Sequence, residues 1–230
     1  MIPDEFVKQL YSKGKQLLIN LGPDETLPTQ IFRGVNPFSI DCMRHMTVFS
    51  RFNVIPKSCF SCYKVLIEPQ TVMQLFKLMV IFHELKPPND NARKCMVECR
   101  EHLSGAYKGY IYCSSIEEGE AVKKWIQQLV SEQISRDIPV TLKRGCSEYA
   151  LSYPEYAQIR QDVTPMKYRE EWHEYEEIVD KDFVFETQRA TFNQSSYTAS
   201  DAKVMLAWLK YAEKKGDRSY LRISCEDMPL

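Results

Sequence analysis

The sequence lacks most of the features that would name a function at once. It has only 8 glycines in 230 residues, and no P-loop, Gly-x-Gly-x-x-Gly, Gly-x-Ser-x-Gly or His-Glu-x-x-His motif occurs in it. These absences disfavour nucleotide-dependent enzymes and the common hydrolases. The 30 basic and 31 acidic residues nearly cancel, so no overall field attracts nucleic acid or an anionic membrane. We expect neither of them as a partner.

Long apolar runs are also missing. The most apolar stretch, VMQLFKLMVIFHEL over 72–85, contains a lysine and is too short to span a bilayer. The first twenty residues show no basic segment followed by an apolar one, which a secretory signal would have. We therefore expect a cytoplasmic location, where the eight cysteines are more often reduced thiols or metal ligands than disulfides.

What the chain does have is enough apolar material for a large core. Hydrophobic residues make up 44% of the sequence and charged residues 27%, as in ordinary globular proteins. At this length we predict three segments. They are an N-terminal helical and loop extension (1–56), an α+β core (57–150), and a mainly helical C-terminal extension packed on the core (151–230).

The middle segment has the clearest pattern of predicted elements. They are, in chain order, a strand (62–69), a helix (71–85), two strands (93–100 and 107–115), a helix capped by Ser114 or Ser115, and a strand (139–146). This βαββαβ order is the split βαβ pattern of the ferredoxin-like fold. Right-handed crossovers would give an antiparallel sheet with strand order 4-1-3-2.

Helices dominate the predicted extensions. Residues 3–20 read as an amphipathic helix, and a short helix is expected within SIDCMRHMTVF at 39–49. In the tail, apolar residues at helical spacing include Tyr168, Trp172, Tyr175 and Val179, and a further helix runs from Ser200 to Gly216. The rest of 28–56 reads as loop.

The stretch KSCFSCYKVLIEP (57–69) places a Cys-x-x-Cys pair directly before the first core strand. In the predicted sheet, the third and fourth strands end beside the start of this first strand. Four thiols would then converge on one sheet edge: Cys59, Cys62, Cys113 and Cys146. The prediction depends on the topology, because the sequence separations alone do not bring these residues together.

Four thiolates at one edge would suit a metal centre. Cysteine thiolates hold zinc at about 2.3 Å, or an iron–sulfur cluster through four sulfurs. Zinc needs a tight arrangement that is demanding across three strands, so we slightly favour the bulkier cluster. A closed zinc site would be structural, whereas a cluster implies electron transfer with a redox or protein partner.

A rival ligand set uses the same cysteine pair. Cys42 and His45 form a Cys-x-x-His pair, and thirteen residues separate His45 from Cys59. Together with Cys59 and Cys62 they have the two-plus-two spacing of a compact zinc knuckle.

Two other readings of the cysteines remain open. They can be ordinary buried small residues, since free cysteine is among the most buried residue types. Alternatively the protein is a cysteine-dependent enzyme that uses Cys62 or Cys146 as nucleophile, with Lys143 and Arg144 as an anion or substrate site.

The segment YKGYIYCSSIEEGEAV (107–122) resembles the third strand and second helix of RNA recognition motifs. Lys108, Tyr110 and Tyr112 match basic and aromatic positions of the RNA-contacting strand in that family. Ile111 stands where glycine or alanine is usual, and serine replaces the last aromatic residue. The resemblance implies an RNA-binding module as a further alternative function.

Overall fold

A five-stranded antiparallel sheet forms the centre of the computed structural model, which describes residues 2–18, 29–34, 42–84, 87–100, 103–159, 164–182 and 196–223. The strands are β1 (Gln30–Arg33), β2 (Tyr63–Ile67), β3 (Arg93–Val97), β4 (Tyr107–Cys113) and β5 (Val140–Arg144). The described helices are α1 (Asp4–Leu18), α2 (Cys42–Phe52), α3 (Val72–Glu84), α4 (Ile116–Gln133), α5 (Ser147–Ser152), α6 (His173–Asp182) and α7 (Ala199–Lys215). Short 3₁₀ turns cover Lys57–Ser61, Pro154–Ala157, Glu170–Trp172 and Arg218–Arg222.

The strand order across the sheet is β1-β3-β4-β2-β5, with antiparallel pairing at every step. The mixed helix-and-sheet class predicted from the sequence is confirmed, and the four core strands lie where the pattern placed them. Strand β1 was not predicted, because it is only four residues long and lies in a segment that reads as loop. It extends the sheet at the edge beside β3.

Local capping explains where the longer helices begin and end. The Ser115 side chain accepts a hydrogen bond from the Glu118 backbone N–H at the start of α4. At the start of α7, Thr198 and Asp201 form a capping box, and at its end Gly216 adopts the left-handed conformation with φ +74°. Ser115 is therefore the N-cap of the two serines predicted for this role.

The main core lies on one face of the sheet, under α3 and α4. Helix α3 is buried on nearly all sides, because α1 and α7 contact it as well as the sheet. This explains why its sequence is apolar around the whole circumference. Gly109 in β4 allows this close approach, since a Cβ atom there would collide with Leu78 of α3. On its outer side, Phe76 meets Trp208 of α7 edge-to-face, with 5.6 Å between ring centroids.

A second apolar cluster lies before the start of β2 and after the end of β5, and it joins α2, α5, α6 and the intervening turns. Tyr149 and Tyr156 are fully buried at its centre. Trp172 and Val179 are buried there too, as their spacing predicted, but Tyr175 is 39% exposed. The four residues at helical spacing do not share one continuous helix face, because α6 begins only at His173, after a 3₁₀ turn.

Within the described residues, no helix combines the length and apolarity needed to cross a membrane. Helix α3, the most apolar one, has 13 residues. Buried residues of the main core come from all three predicted segments, as Val7, Val65 and Trp208 show. The segment boundaries themselves stay a prediction.

Candidate functional site

The sheet face opposite α3 and α4 carries the candidate site. The strand register places Lys64 on β2 directly opposite Tyr112 on β4 and Lys143 on β5. One row further on, Lys94 on β3 stands opposite Tyr110. Because side chains alternate along a strand, these basic and aromatic residues share one face.

A cavity of about 300 Å³ lies on this face. Its floor is formed by β2, β3, β4 and β5, and its walls by α2, the edge of β1, the end of β3 and the start of α5. The main lining residues are Gln30, Cys42, Met46, Lys64, Lys94, Glu98, Arg100, Tyr110, Tyr112, Lys143, Cys146, Ser147 and Glu148.

A lysine–cysteine pair forms the centre of the cavity. Lys64 Nζ donates a hydrogen bond to Cys146 Sγ at 3.1 Å. Lys64 is only 7% exposed, and Cys146 is half-buried at the end of the loop that leaves β5. Burial disfavours the Cys146 thiolate, but the charge and hydrogen bond of Lys64, with the charges of Lys143 and Lys94, lower its pKa below the usual value. Cys146 in turn holds the pKa of Lys64 well above its usual value, although burial acts to lower it.

The other cysteines near this end of the sheet behave in the opposite way. Burial raises the pKa of Cys62 to about 11 and that of Cys113 to about 12. It raises the pKa of Cys59 as well, despite a 3.4 Å hydrogen bond between the Cys59 thiol and the Tyr149 hydroxyl. Among these four cysteines, Cys146 is the one whose surroundings favour a thiolate.

Two further lysines face the same cavity without being fully buried. Lys94 Nζ donates to Gln30 Oε1 at 3.0 Å, and Lys143 Nζ donates to Ser147 Oγ at 2.6 Å. Burial first, and then the charge of Lys64, lowers the pKa of each amine to about 8. Both amines therefore exchange protons just above neutral pH.

The carboxylates at the cavity wall are already paired with cations. Arg100 Nε donates to Glu98 Oε1 at 2.8 Å, and Lys108 Nζ lies 3.6 Å from Glu98 Oε2. Arg100 also forms an ion pair with Glu148. Although burial of Glu98 opposes its charge, the hydrogen bonds from Arg100 lower its pKa to about 2.

The four predicted sheet-edge thiols lie at the same end of the sheet but not on the same face. Gly145 N–H donates to Cys62 O at 2.8 Å, which places Cys146 beside the start of β2. Cys113 ends β4, opposite Tyr63, and its side chain packs in the main core under the helices. The sheet therefore separates Cys113 from the cavity. Across the described part of the chain, no group of three or more Cys, His, Asp or Glu residues is arranged to hold a metal ion.

The residues of the rival zinc-knuckle set lie in different environments. Cys42 lines the cavity from α2. His45, one turn further along, shares a 2.8 Å hydrogen bond between its Nε2 and the Ser58 hydroxyl. Cys59 is buried against Tyr149 in the second apolar cluster.

The predicted anion pair Lys143–Arg144 is divided by the strand. Lys143 lines the cavity, but Arg144 points to the opposite face and is 6% exposed. Its guanidinium donates to the carbonyl oxygens of Phe60 at 2.8 Å and Met166 at 3.1 Å. The Arg144 side chain thus makes structural hydrogen bonds, and it does not line the cavity.

Sequence reasoning missed Lys64 and Lys94, which complete the basic cavity. Lys64 is the charged residue of the strand YKVLI, and Lys94 follows the buried Arg93 in the strand RKCMV. Period-two alternation from the core residues Val65 and Cys95 places both lysines on the other face. This signal would have found them once the strands were assigned.

The tyrosines that resemble RNA-contacting residues are covered. Tyr110 and Tyr112 are 7% and 8% exposed. The ammonium groups of Lys94 and Lys64 lie 5.5 Å and 5.3 Å from their respective ring centroids. Little ring surface is left on which a base could stack.

Comparisons with protein-family models, with curated proteins and with solved structures give no match to this chain. Functional inference therefore depends on the geometry of the site alone.

Proposed function

We propose that the protein is a cysteine-dependent enzyme in which the Cys146 thiolate attacks a carbonyl carbon of a small anionic substrate. The observation that carries this proposal is the 3.1 Å hydrogen bond from Lys64 to Cys146 inside a lysine-lined cavity. Although burial opposes it, the ammonium group in direct contact favours the thiolate by lowering the pKa of Cys146, and the thiolate is the reactive form of cysteine.

The cavity residues can support each part of the addition step. The sulfur lone pair forms a new S–C bond, while the π electrons of the C=O bond move to the carbonyl oxygen. Lys64, released from its partner once the sulfur has reacted, supplies positive charge for that oxyanion. Burial lowers the pKa of Lys143 to about 8, so its ammonium is still mostly charged near neutral pH and can bind the anionic group of the substrate.

Alkylation of the native protein tests the thiolate. At pH 7 we expect iodoacetamide to modify Cys146 at least about tenfold faster than the exposed Cys99, measured by peptide mass spectrometry over time. Lys64→Met removes the paired charge, so it should slow Cys146 alkylation about tenfold and move its pH midpoint upward.

The charge of the reagent tests the substrate class in the same experiment. Iodoacetate carries a carboxylate, so it should react with Cys146 faster relative to iodoacetamide than it does with free 2-mercaptoethanol, which is the reference here because Cys99 lines the same cavity. Lys123→Met, on the exposed surface of α4, is the matched control and should change neither rate. Alkylation of Cys146 no faster than that of Cys99, or an unaltered rate in Lys64→Met, would refute the proposal.

A metal–thiolate site is the second candidate, favoured only by the gathering of Cys59, Cys62 and Cys146 at one end of the sheet. Anaerobically purified protein with iron and sulfide near stoichiometric amounts and a visible absorption band would support a cluster. Colourless protein with one tightly bound zinc would support a structural site, and metal-free protein would remove both.

We also propose that β2-α3-β3-β4-α4-β5 forms a ferredoxin-like split βαβ unit, and that the protein works in the cytoplasm. The order of these elements and the antiparallel pairing of their strands support the first statement. The second depends on thiol chemistry that a reducing compartment maintains. Fluorescence microscopy of the tagged full chain would test the location.

A further inference from the structure

We infer, building on the proposed function, that the substrate carries two anionic groups, which Lys94 and Lys143 bind on either side of the reacting thiolate. The cavity contains more positive charge than its own residues neutralise, and the surplus is divided between two places.

Several cations of the cavity are already paired with an anionic group. Lys64 is paired with the Cys146 thiolate. Arg100 is paired with Glu98 and Glu148. Each cavity cation considered so far therefore has an anionic partner.

Lys94 and Lys143 differ from these cations. Their hydrogen-bond acceptors are the neutral oxygens of Gln30 and Ser147. Among the described residues no carboxylate forms an ion pair with either amine. An anionic group of a ligand would supply the missing partner and would replace only a neutral contact.

Lys94 and Lys143 lie on opposite sides of the Lys64–Cys146 pair. Lys143 on β5 stands beside Lys64 on β2, whereas Lys94 on β3 lies two strands away on the other side. At about 4.8 Å per strand, the backbones of Lys94 and Lys143 are roughly 14 Å apart across the sheet. The strand that holds Lys64, and through it Cys146, lies between them. Two separate anionic groups fit this arrangement better than one compact anion.

The cavity is large enough only for a small ligand. About 300 Å³ is at the lower end of the range for small-molecule pockets. A short-chain compound with an anionic group at each end and a carbonyl between them would suit both the volume and the charges.

The binding should depend on pH. The groups that face the two amines are the cations Lys64, Lys108 and Arg100, the carboxylates Glu98 and Glu148, the thiols Cys42 and Cys146, and the phenols Tyr110 and Tyr112. With the pKa of both amines held near 8, they lose their protons as pH rises from about 7 to 9. Affinity for a doubly anionic ligand should therefore fall over this range.

Titration calorimetry on the full chain at pH 7 and constant ionic strength tests the inference. The probes are succinate, glutarate and adipate, each against the monocarboxylate of equal carbon number, with 3-phosphonopropionate and inorganic phosphate as further arms. None of these compounds carries a carbonyl that Cys146 would attack. We expect at least one dicarboxylate or the phosphonocarboxylate to bind about tenfold or more tightly than its singly charged counterpart. Preference between carboxylate and phosphonate identifies the anionic group.

Charge-removing and charge-keeping variants assign the two positions. Lys94→Gln and Lys143→Gln should each reduce binding of the doubly anionic probe to the level of the matched monocarboxylate. Lys94→Arg and Lys143→Arg should retain most of the affinity, and Lys123→Gln on α4 should have no effect. Equal thermal unfolding of the variants would show that folding is unchanged.

The outcomes separate this inference from the proposed function. Fast Cys146 alkylation combined with equal binding of singly and doubly charged probes would overturn the two-anion inference alone. Tighter binding of inorganic phosphate than of every dicarboxylate and of 3-phosphonopropionate would also overturn it, in favour of one compact anion. Slow alkylation of Cys146 would instead overturn the proposed function.

Discussion

At the scale of single residues, Gly145 determines where the Cys146 sulfur lies. Its backbone has φ +52°, in the left-handed region that favours glycine, and its N–H is bonded to Cys62 O. A side chain at this position would also collide with the hydroxyl of Tyr156. Conformation and space therefore both require glycine directly before the candidate nucleophile.

Gly145→Ala should destabilise the protein more than a left-handed conformation alone would. We expect about 1–2 kcal/mol from the conformation, with a further loss from the Tyr156 contact, measured by urea unfolding. Alkylation of Cys146 should also slow, because the loop shifts. Gly216→Ala is the matched control, since Gly216 has φ +74° and no atom near the added methyl group. Equal losses in the two variants would contradict the steric part of this account.

At the scale of elements, Glu118 fastens the start of α4 to the strands beside it. Its carboxylate accepts hydrogen bonds from the Ser114 N–H at 2.6 Å, from the Ser114 hydroxyl at 2.7 Å, and from the side-chain amides of Asn89 and Asn91 at 2.8 Å. Burial opposes the charge, but these donors lower the pKa of Glu118 to about 2. One carboxylate thus holds together the end of β4, the helix and the loop before β3.

Glu118→Gln should therefore lower the free energy of unfolding at pH 7 by about 1–2 kcal/mol. Because the folded-state pKa lies below the usual value of 4.5, the contribution is complete above that pH and is lost as pH falls towards 2. The difference between wild type and variant should shrink over this range in urea titrations. Glu120→Gln, at an exposed position on the same helix, should leave the pH dependence unaltered. A difference that stays constant from pH 5 to pH 2 would argue against this role.

The elements of the core were largely predictable, because alternation in strands and apolar content in helices are local signals. The residues of the candidate site were less predictable from the sequence. Cys146 and Lys143 were identified from the sequence, but Arg144 was grouped with them although adjacent residues of a strand point to opposite faces. Cys113 and Cys146 converge at one edge yet lie on different faces, because Cys113 faces the core side of β4 whereas the left-handed turn at Gly145 directs Cys146 to the cavity. Strand β1 gave no signal of its own, because its pairing with β3 is a long-range contact.

At the scale of the whole molecule, two different environments lie on the two faces of one sheet. The face under α3 and α4 is a continuous apolar core that α1 and α7 extend. The opposite face is a basic cavity enclosed by α2 and α5. Trp208 of α7 connects α3 to the β1 edge of the sheet. It is fully buried against Phe76, and its Nε1–H donates to the backbone oxygen of Thr29, directly before β1, at 2.9 Å.

Trp208→Ala should be among the most destabilising single substitutions in the chain. Removing a fully buried tryptophan leaves a cavity and an unpaired carbonyl, with an expected loss of about 3–5 kcal/mol in urea unfolding. Trp125→Ala on α4, where the side chain is half-buried, is the comparison and should cost less than half as much. Similar losses in the two variants would mean that α7 contributes less to the core than its contacts indicate.

The alternation along β5 also predicts how relatives of this protein would tolerate changes in length. One residue added or removed inside β5 would exchange Lys143 and Arg144, sending the cavity lysine into the apolar layer and the structural arginine into the cavity. Extra residues in the loop before β5 would leave the pairing intact. In distant homologues, the number of residues between the strand lysine and the Gly-Cys pair should therefore change only in steps of two. This should hold even where loop lengths and overall identity have diverged.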